Sequence, residues 1–310
     1  MADAGTLALE EVQLEPHYYR DNFLRLCDAV EKQYADLLNP EEAEFIATWR
    51  ALPHAAQCLY VRLISRVGPW FRPARLTYPE IGDLRRPLLA LQEAGLAVAS
   101  EELEVDELGY LYTVAELRLA YAELAPEQRR GKAALLQGIA DLQLDPTEHL
   151  PRLAAIGAGA EPLVAPLDTE VVDLLQLLFF GNRHQGLTDF VLSDLGVARY
   201  YPYSLERAQR LFPARAALDE YLALVQLGDL FYELCEAQAW GDIPALALRL
   251  LDMAQVEFPS SESRRDRLCN SVARELERRG AGDLALELYA RSARHPSRER
   301  SARVLEAGGD

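Results

Sequence analysis

The chain has 310 residues, 50% of them apolar and 26% charged, enough to bury a sizeable core and to form two or three domains. Its formal net charge of −17 repels a phosphate backbone and excludes a protein coated for nonspecific nucleic-acid binding. The four cysteines, Cys27, Cys58, Cys235 and Cys269, lie far apart with no CxxC pair and no zinc-finger histidine spacing, so inert, reduced thiols are expected.

The opening segment MADAGTLALEEVQLEP is acidic and has neither the basic start nor the apolar run of a signal peptide. The three-and-four spacing of Phe23, Leu26, Val30, Tyr34, Leu37 and Leu38 predicts an amphipathic helix over 18–38. Asn39 is placed to cap a second helix, with Pro40 at its first position and Glu41 and Glu42 in its first turn, running to about residue 50. A third helix follows from 54 to about 66. Gly68 and Pro69 then break the pattern. Residues 75–78 read as a short strand, 79–95 as a helix, and 96–100 and 110–114 as two β-like runs separated by acidic turn residues. Helices followed by a small β-wing form the pattern of a winged-helix module, and an ordinary α+β packing element fits the same pattern.

A helical hairpin comes next, with Leu117 and Tyr121 on one helix, Arg129, Arg130, Gly131 and Lys132 in the turn, and Leu135, Leu136 and Ile139 on the other. Two short helices joined by a basic turn resemble a SAP module. The stretch 145–166, rich in Pro, Ala and Gly, reads as a linker. Val171 to Phe180 is the richest apolar run, and Asp173 and Gln176 interrupt it, so no segment is long enough to span a membrane. In the FGNRHQGLTDF that ends this region, Asn182, Arg183, His184 and Asp189 offer only two good metal ligands and read as a polar turn at a helix end. GDIPALALRL from Gly241 and GDLALELYAR from Gly282 share a Gly-Asp start at a spacing of 41 residues, suggesting a tetratricopeptide-like array of helical hairpins. A generic helical bundle fits as well.

The chain is therefore expected to be mainly α: a helical region over 1–66, a winged-helix and SAP-like module over 67–144, a linker over 145–166, and a tetratricopeptide-like helical domain over 167–310. Its cations are concentrated. Arg62, Arg66, Arg72 and Arg75 span a stretch without an acid, and between Arg264 and Arg303 eleven arginines face six acids. Helical spacing puts Arg264, Arg267 and Arg274 close to one face. Ser297 can cap a helix carrying Arg298, Arg300 and Arg303, and arginines beside a helix N-terminus are chemically suited to a terminal phosphate. A solvated face laced with weak ion pairs is the alternative.

Three strings carry a resemblance: LYVRLISRVGPWFRPARLTYPEIGDL, LLFFGNRHQGLTDFVLSDLGVARY and LELYARSARHPSRERSARVL, preceded by YYRDNFLRLCDAVEKQYADLL. In this order they are similar to the bacterial branch of the Fanconi-associated nuclease family. The resemblance implies a helical region, a SAP-containing winged-helix region and a tetratricopeptide-like domain, followed by a VRR nuclease domain. It implies metal-dependent cutting, with Mg²⁺ or Mn²⁺, near 5′ ends of branched or flapped DNA in interstrand crosslink repair. Arg62, Arg66, Arg72, Arg75, Arg129, Arg130 and Lys132 become candidate DNA contacts. Arg264, Arg267, Arg298, Arg300 and Arg303 become the candidate 5′-phosphate pocket, although Ser263 stands where the family motif carries a basic residue.

The VRR nuclease site belongs to the PD-(D/E)xK group and needs a lysine two residues after a metal-binding acid. The only lysines are Lys32 and Lys132, preceded at that spacing by Val30 and Arg130, and no Pro-Asp dipeptide occurs. These 310 residues are therefore expected to bind no catalytic metal themselves and to work with a nuclease domain supplied in cis or in trans. Branched DNA, a cytoplasmic location and no membrane contact complete the expectation. A helical scaffold that binds protein partners is the competing reading.

Overall fold

The computed structural model describes residues 15–158, 161–189, 210–253 and 256–308. The chain divides into two compact units, Met1–Tyr203 and Ser204–Asp310. The first opens with three helices close to those read from periodicity: α1 (Tyr18–Tyr34), α2 (Pro40–Ala51) and α3 (His54–Ile64). Asn39 caps α2 as predicted. Its side chain accepts from Glu42 N while the Glu42 carboxylate accepts from Asn39 N, both at 2.8 Å, so two otherwise orphaned amides are satisfied. Phe23 meets Trp49 edge-on at 4.7 Å between ring centroids. Seven consecutive or near-consecutive residues of α3, from Ala56 to Leu63, are buried, so this helix is packed from more than one side.

After Gly68, which sits at φ +104° where a Cβ would be strained, the structure departs from the expected wing. Residues 75–78 form no strand; a 3₁₀ turn, Pro73–Arg75, ends there, with proline fixing its first φ. The expected helix over 79–95 is the shorter α4 (Arg85–Glu93). β1 (Ala97–Ser100) is present, but residues 110–114 are not its partner. They close α5 (Val105–Leu111) and open α6 (Val114–Ala120). Glu107 accepts from Glu104 N and Glu116 from Thr113 N, each at 2.8 Å, and these local caps outweigh the β propensity of the Tyr-Leu-Tyr-Thr-Val run.

The hairpin expected around a basic turn is formed by α6 and α7 (Lys132–Asp141). It packs around Leu108, Leu117, Tyr121, Leu135 and Ile139. The stretch 145–166, expected as a linker, instead carries α8 (Pro146–Ala155) and β2 (Leu163–Pro166). β2 is the true partner of β1, antiparallel from Ala97 opposite Pro166 to Ser100 opposite Leu163. Phe71 exchanges backbone hydrogen bonds with Val164 at 2.8 and 3.0 Å, widening the pairing beyond the two strands. α3 packs against α1, α4 and β2, and the Tyr60 hydroxyl donates to Leu167 O at 2.7 Å. The apolar run gives α9 (Thr169–Phe180), which lies on α1 and ends at Gly181 with φ +70°. Beyond it Asn182 Oδ1 accepts from the amides of His184 and Gln185 at 2.9 and 3.1 Å, the polar turn that was read there.

The second unit is α10 (Arg215–Glu236), α11 (Ile243–Asp252), α12 (Pro259–Arg278), α13 (Gly282–Arg291) and α14 (Ser297–Gly308). The two Gly-Asp repeats correspond to α11 and α13, and both pack on α12. Leu246, Leu250, Leu268, Val272, Leu276, Leu288 and Tyr289 belong to one buried cluster.

Candidate nucleic-acid interface

A cleft of about 490 Å³ opens in the second unit. Its basic lining is Arg267 and Arg274 of α12, Arg294 of the turn between α13 and α14, and Arg300 and Arg303 of α14, against a single acid, Glu299. The helical period of α12 creates one wall. Leu268, Cys269, Val272 and Leu276 face the core, which turns Arg267, Asn270, Ser271 and Arg274 into the cleft.

Buried polar groups hold the opposite wall. Asp266, 5% exposed, accepts from Ala293 N at 3.1 Å and from Arg265 Nη2 at 2.9 Å. Ser292 Oγ donates to Asp266 O at 3.3 Å, Ser297 Oγ to Ser292 O at 2.9 Å, and Asn270 Nδ2 to Arg294 O at 3.2 Å. These bonds fix the turn between α13 and α14 against α12 and so set the position of Arg294. Ser263, where a basic family residue was missing, has its own part. Its carbonyl accepts from Arg267 Nε at 3.1 Å and its hydroxyl from Arg294 Nη1 at 3.0 Å, orienting two cleft arginines.

The cations are unequally committed. Glu277 holds Arg300 through two bonds of 3.0 Å and also accepts from the Tyr289 hydroxyl at 2.9 Å. Arg303 pairs with Glu299 at the surface, an exposed pair that adds little. Arg267 and Arg294 each spend one donor on Ser263, and Arg274 makes no side-chain hydrogen bond or ion pair among the described residues. Each guanidinium carries five N–H groups, so planar donor edges remain for an oxyanion.

Of the candidates named from sequence, Arg267, Arg300 and Arg303 line the cleft and Arg264 and Arg298 do not. Arg264 donates to the Tyr221 hydroxyl at 2.8 Å and lies over that ring. Arg298 is exposed outside the cleft. Arg294 was missed because it lies between helices, where no periodicity aligns it with α12. Arg274 shared the predicted face, yet only the cleft shows that it belongs to the pocket.

In the first unit the basic stretch is mostly structural. Arg72 is 9% exposed. It donates to Leu111 O at 3.2 Å and to Ala158 O, pairs with Glu116 at 3.0 Å and stacks on Tyr112 at 4.1 Å. Burial disfavours ionisation of Glu116, but Thr113, Arg75 and Arg72 outweigh it and hold the pKa at about 2. Arg62 lies over Tyr19 at 3.9 Å and donates to Glu80. Arg129 donates to Ala122 O and Arg118 O at 3.3 Å, tying its own hairpin together. The donors of these three thus face protein carbonyls and carboxylates. Arg66, Arg75, Arg130 and Lys132 are exposed, Arg75 with one donor on Glu116 at 2.9 Å. Arg85 and Arg86, exposed at the start of α4, were not singled out; cations in a first turn oppose the helix dipole, and that mismatch was their signal.

Mg²⁺ or Mn²⁺ needs converging oxygen ligands. Among the described residues the one group of three or more potential ligands is His17, His54 and Cys58, which offers no oxygen and does not fit a hard cation. No helix among those residues is long and apolar enough to cross a membrane.

The fold and the cleft thus define a mainly helical protein with an arginine-lined pocket. A family model for the FAN1 HTH domain matches residues 17–98. The Fanconi-associated nuclease 1 homolog of Pseudomonas aeruginosa is 35% identical over 298 residues, covering 95% of this chain and 51% of its own length. The Arabidopsis thaliana homolog is 28% identical over 254 residues, covering 78% of this chain and 28% of its own. A crystal structure of paFAN1 bound to 5′-flap DNA with a gap and a 2-nucleotide flap matches with a TM-score of 0.83 at 32% identity, over 96% of this chain and 53% of that one. Over nearly its whole length the chain is similar to Fanconi-associated nucleases, and it spans about half the length of the Pseudomonas relative.

Proposed function

We propose that these residues are the DNA-binding and substrate-positioning portion of a structure-specific 5′-flap nuclease of interstrand crosslink repair. On this reading the cleft receives a 5′-terminal phosphate through Arg267, Arg274, Arg294, Arg300 and Arg303. Arg66, Arg75, Arg130 and Lys132 contact duplex or flap backbone. Arg264 and Arg298 serve at its margin, Arg264 by fixing α12 on Tyr221.

The observation that carries the reading is the cleft itself, five arginines and one acid around about 490 Å³ in a chain of net charge −17. Gathering cations costs self-repulsion, which a bound dianion relieves. Two matching crystal structures hold paFAN1 on DNA with 1- and 2-nucleotide 5′ flaps, which supports flapped DNA as the ligand class. Mg²⁺ or Mn²⁺ belongs, on the family reading, to a VRR nuclease domain in cis or in trans, and the protein works in the cytoplasm.

The test is fluorescence anisotropy of the chain on 5′-phosphorylated flap, 5′-hydroxyl flap and blunt duplex across a salt series. The phosphorylated flap is expected to bind most tightly. Arg274→Ala should remove about 1.5–3 kcal/mol, roughly 10- to 100-fold, from that preference. Equal affinity for phosphorylated and hydroxyl flaps refutes the assignment.

A further inference from the structure

We infer that His17, His54 and Cys58 form a soft-metal site in the first unit, with Zn²⁺ as the ion it suits. Their ligating atoms all lie within 4.8 Å of one another. Cys58 Sγ is 3.5 Å from His17 Nδ1 and 3.8 Å from His54 Nδ1. In a tetrahedral zinc site with Zn–S of about 2.3 Å and Zn–N of about 2.0–2.1 Å, the sulfur-to-nitrogen edge is about 3.6 Å. Both sulfur-to-nitrogen edges therefore already stand near the spacing of a coordination polyhedron, and closing the imidazole pair onto one ion needs only ring rotation.

Helix geometry explains the convergence. His54 opens α3 and Cys58 follows four residues later on the same face. His17 immediately precedes α1 and makes no capping bond, so its ring is available, and the two imidazoles meet edge-to-face at 4.7 Å. A thiol has one proton, and it can serve only one of the two ring nitrogens turned toward it. Neither ring makes another hydrogen bond among the described residues. A single cation satisfies the sulfur and both nitrogens together.

The donor set selects the ion. One thiolate and two imidazoles suit Zn²⁺ and not the oxygen-seeking Mg²⁺ or Ca²⁺, and three protein ligands leave a fourth position for water. His54 is exposed and gives the ion access, whereas Cys58 is buried and closes the far side. A bound ion would fasten the residue before α1 to the first turn of α3.

The chain, stripped with a chelator, is titrated with Co²⁺ as a spectroscopic probe and then with Zn²⁺. One equivalent of Co²⁺ is expected to give a thiolate-to-cobalt charge-transfer band with intense four-coordinate visible bands, and Zn²⁺ should displace it. Cys58→Ser should abolish the charge-transfer band and Cys235→Ser should leave it. His54→Gln changes an exposed side chain and keeps the fold; it should weaken Zn²⁺ at least about tenfold and remove the rise in melting temperature that Zn²⁺ gives the parent chain. Absence of a thiolate band at one equivalent, or a band unchanged in Cys58→Ser or His54→Gln, overturns the site.

Discussion

Replacing Arg72 with methionine separates a structural arginine from a DNA contact. Methionine keeps much of the apolar stem but removes the donors facing Leu111 O, Ala158 O and Glu116, and the cation over Tyr112. Each backbone carbonyl left buried and unpaired costs about 1–3 kcal/mol, and the stacked cation contributes about 0.5–2 kcal/mol. Glu116 retains Thr113 and Arg75, so its share of the loss is small. These contributions span about 2.5–8 kcal/mol, and the expected loss is about 3–5 kcal/mol within that span, the size found when one partner of a buried ion pair is removed. At about 2–4 °C per kcal/mol for a unit of this size, the melting temperature falls by about 6–20 °C. Because two units need not unfold together, hydrogen exchange of the α5 and α6 amides accompanies circular dichroism, with flap anisotropy in parallel. A variant that unfolds at the parental midpoint yet loses flap affinity refutes the structural role.

The other predictions use the same ion pairs and clamps. The folded pKa of Glu116, about 2 against an ordinary 4.5, means that its charged form stabilises the fold fully above about pH 4.5. That contribution, about 3 kcal/mol at about 1.4 kcal/mol per pH unit, is lost as pH falls toward 2; Glu116→Gln should flatten the melting-temperature profile in this window, and parallel profiles would count against it. Asp266→Ala frees the amide of Ala293 and leaves Arg265 without its carboxylate. It should cost about 2–3 kcal/mol and reduce the preference for a 5′-phosphate more than affinity for blunt duplex. Arg129→Ala should lower the melting temperature by loosening the hairpin, whereas Arg130→Ala should leave it unchanged and reduce the salt slope of DNA binding by about one phosphate contact. The opposite assignment of those two effects would reverse the reading of the turn.

Local chemistry alone determined α1, α2, α3, the hairpin of α6 and α7, and the helical second unit. Apolar spacing and the Asn39 cap act over a few residues, so they can be read without knowing what lies elsewhere in the chain. It also showed the cations concentrated between Arg264 and Arg303, while grouping Arg267 with Arg300 and Arg303 came from the family resemblance. Only tertiary structure decided the partner of β1, because β2 lies more than sixty residues on from it inside a stretch whose composition looks like a linker. The fate of each arginine was decided in the same way. Arg72 ends against Ala158 O, 86 residues away, and Arg294 reaches the cleft because Asp266 and Asn270 hold its turn. A guanidinium is chemically the same in every context; whether it meets water, a carboxylate or an incoming phosphate depends on groups that folding brings from distant parts of the chain.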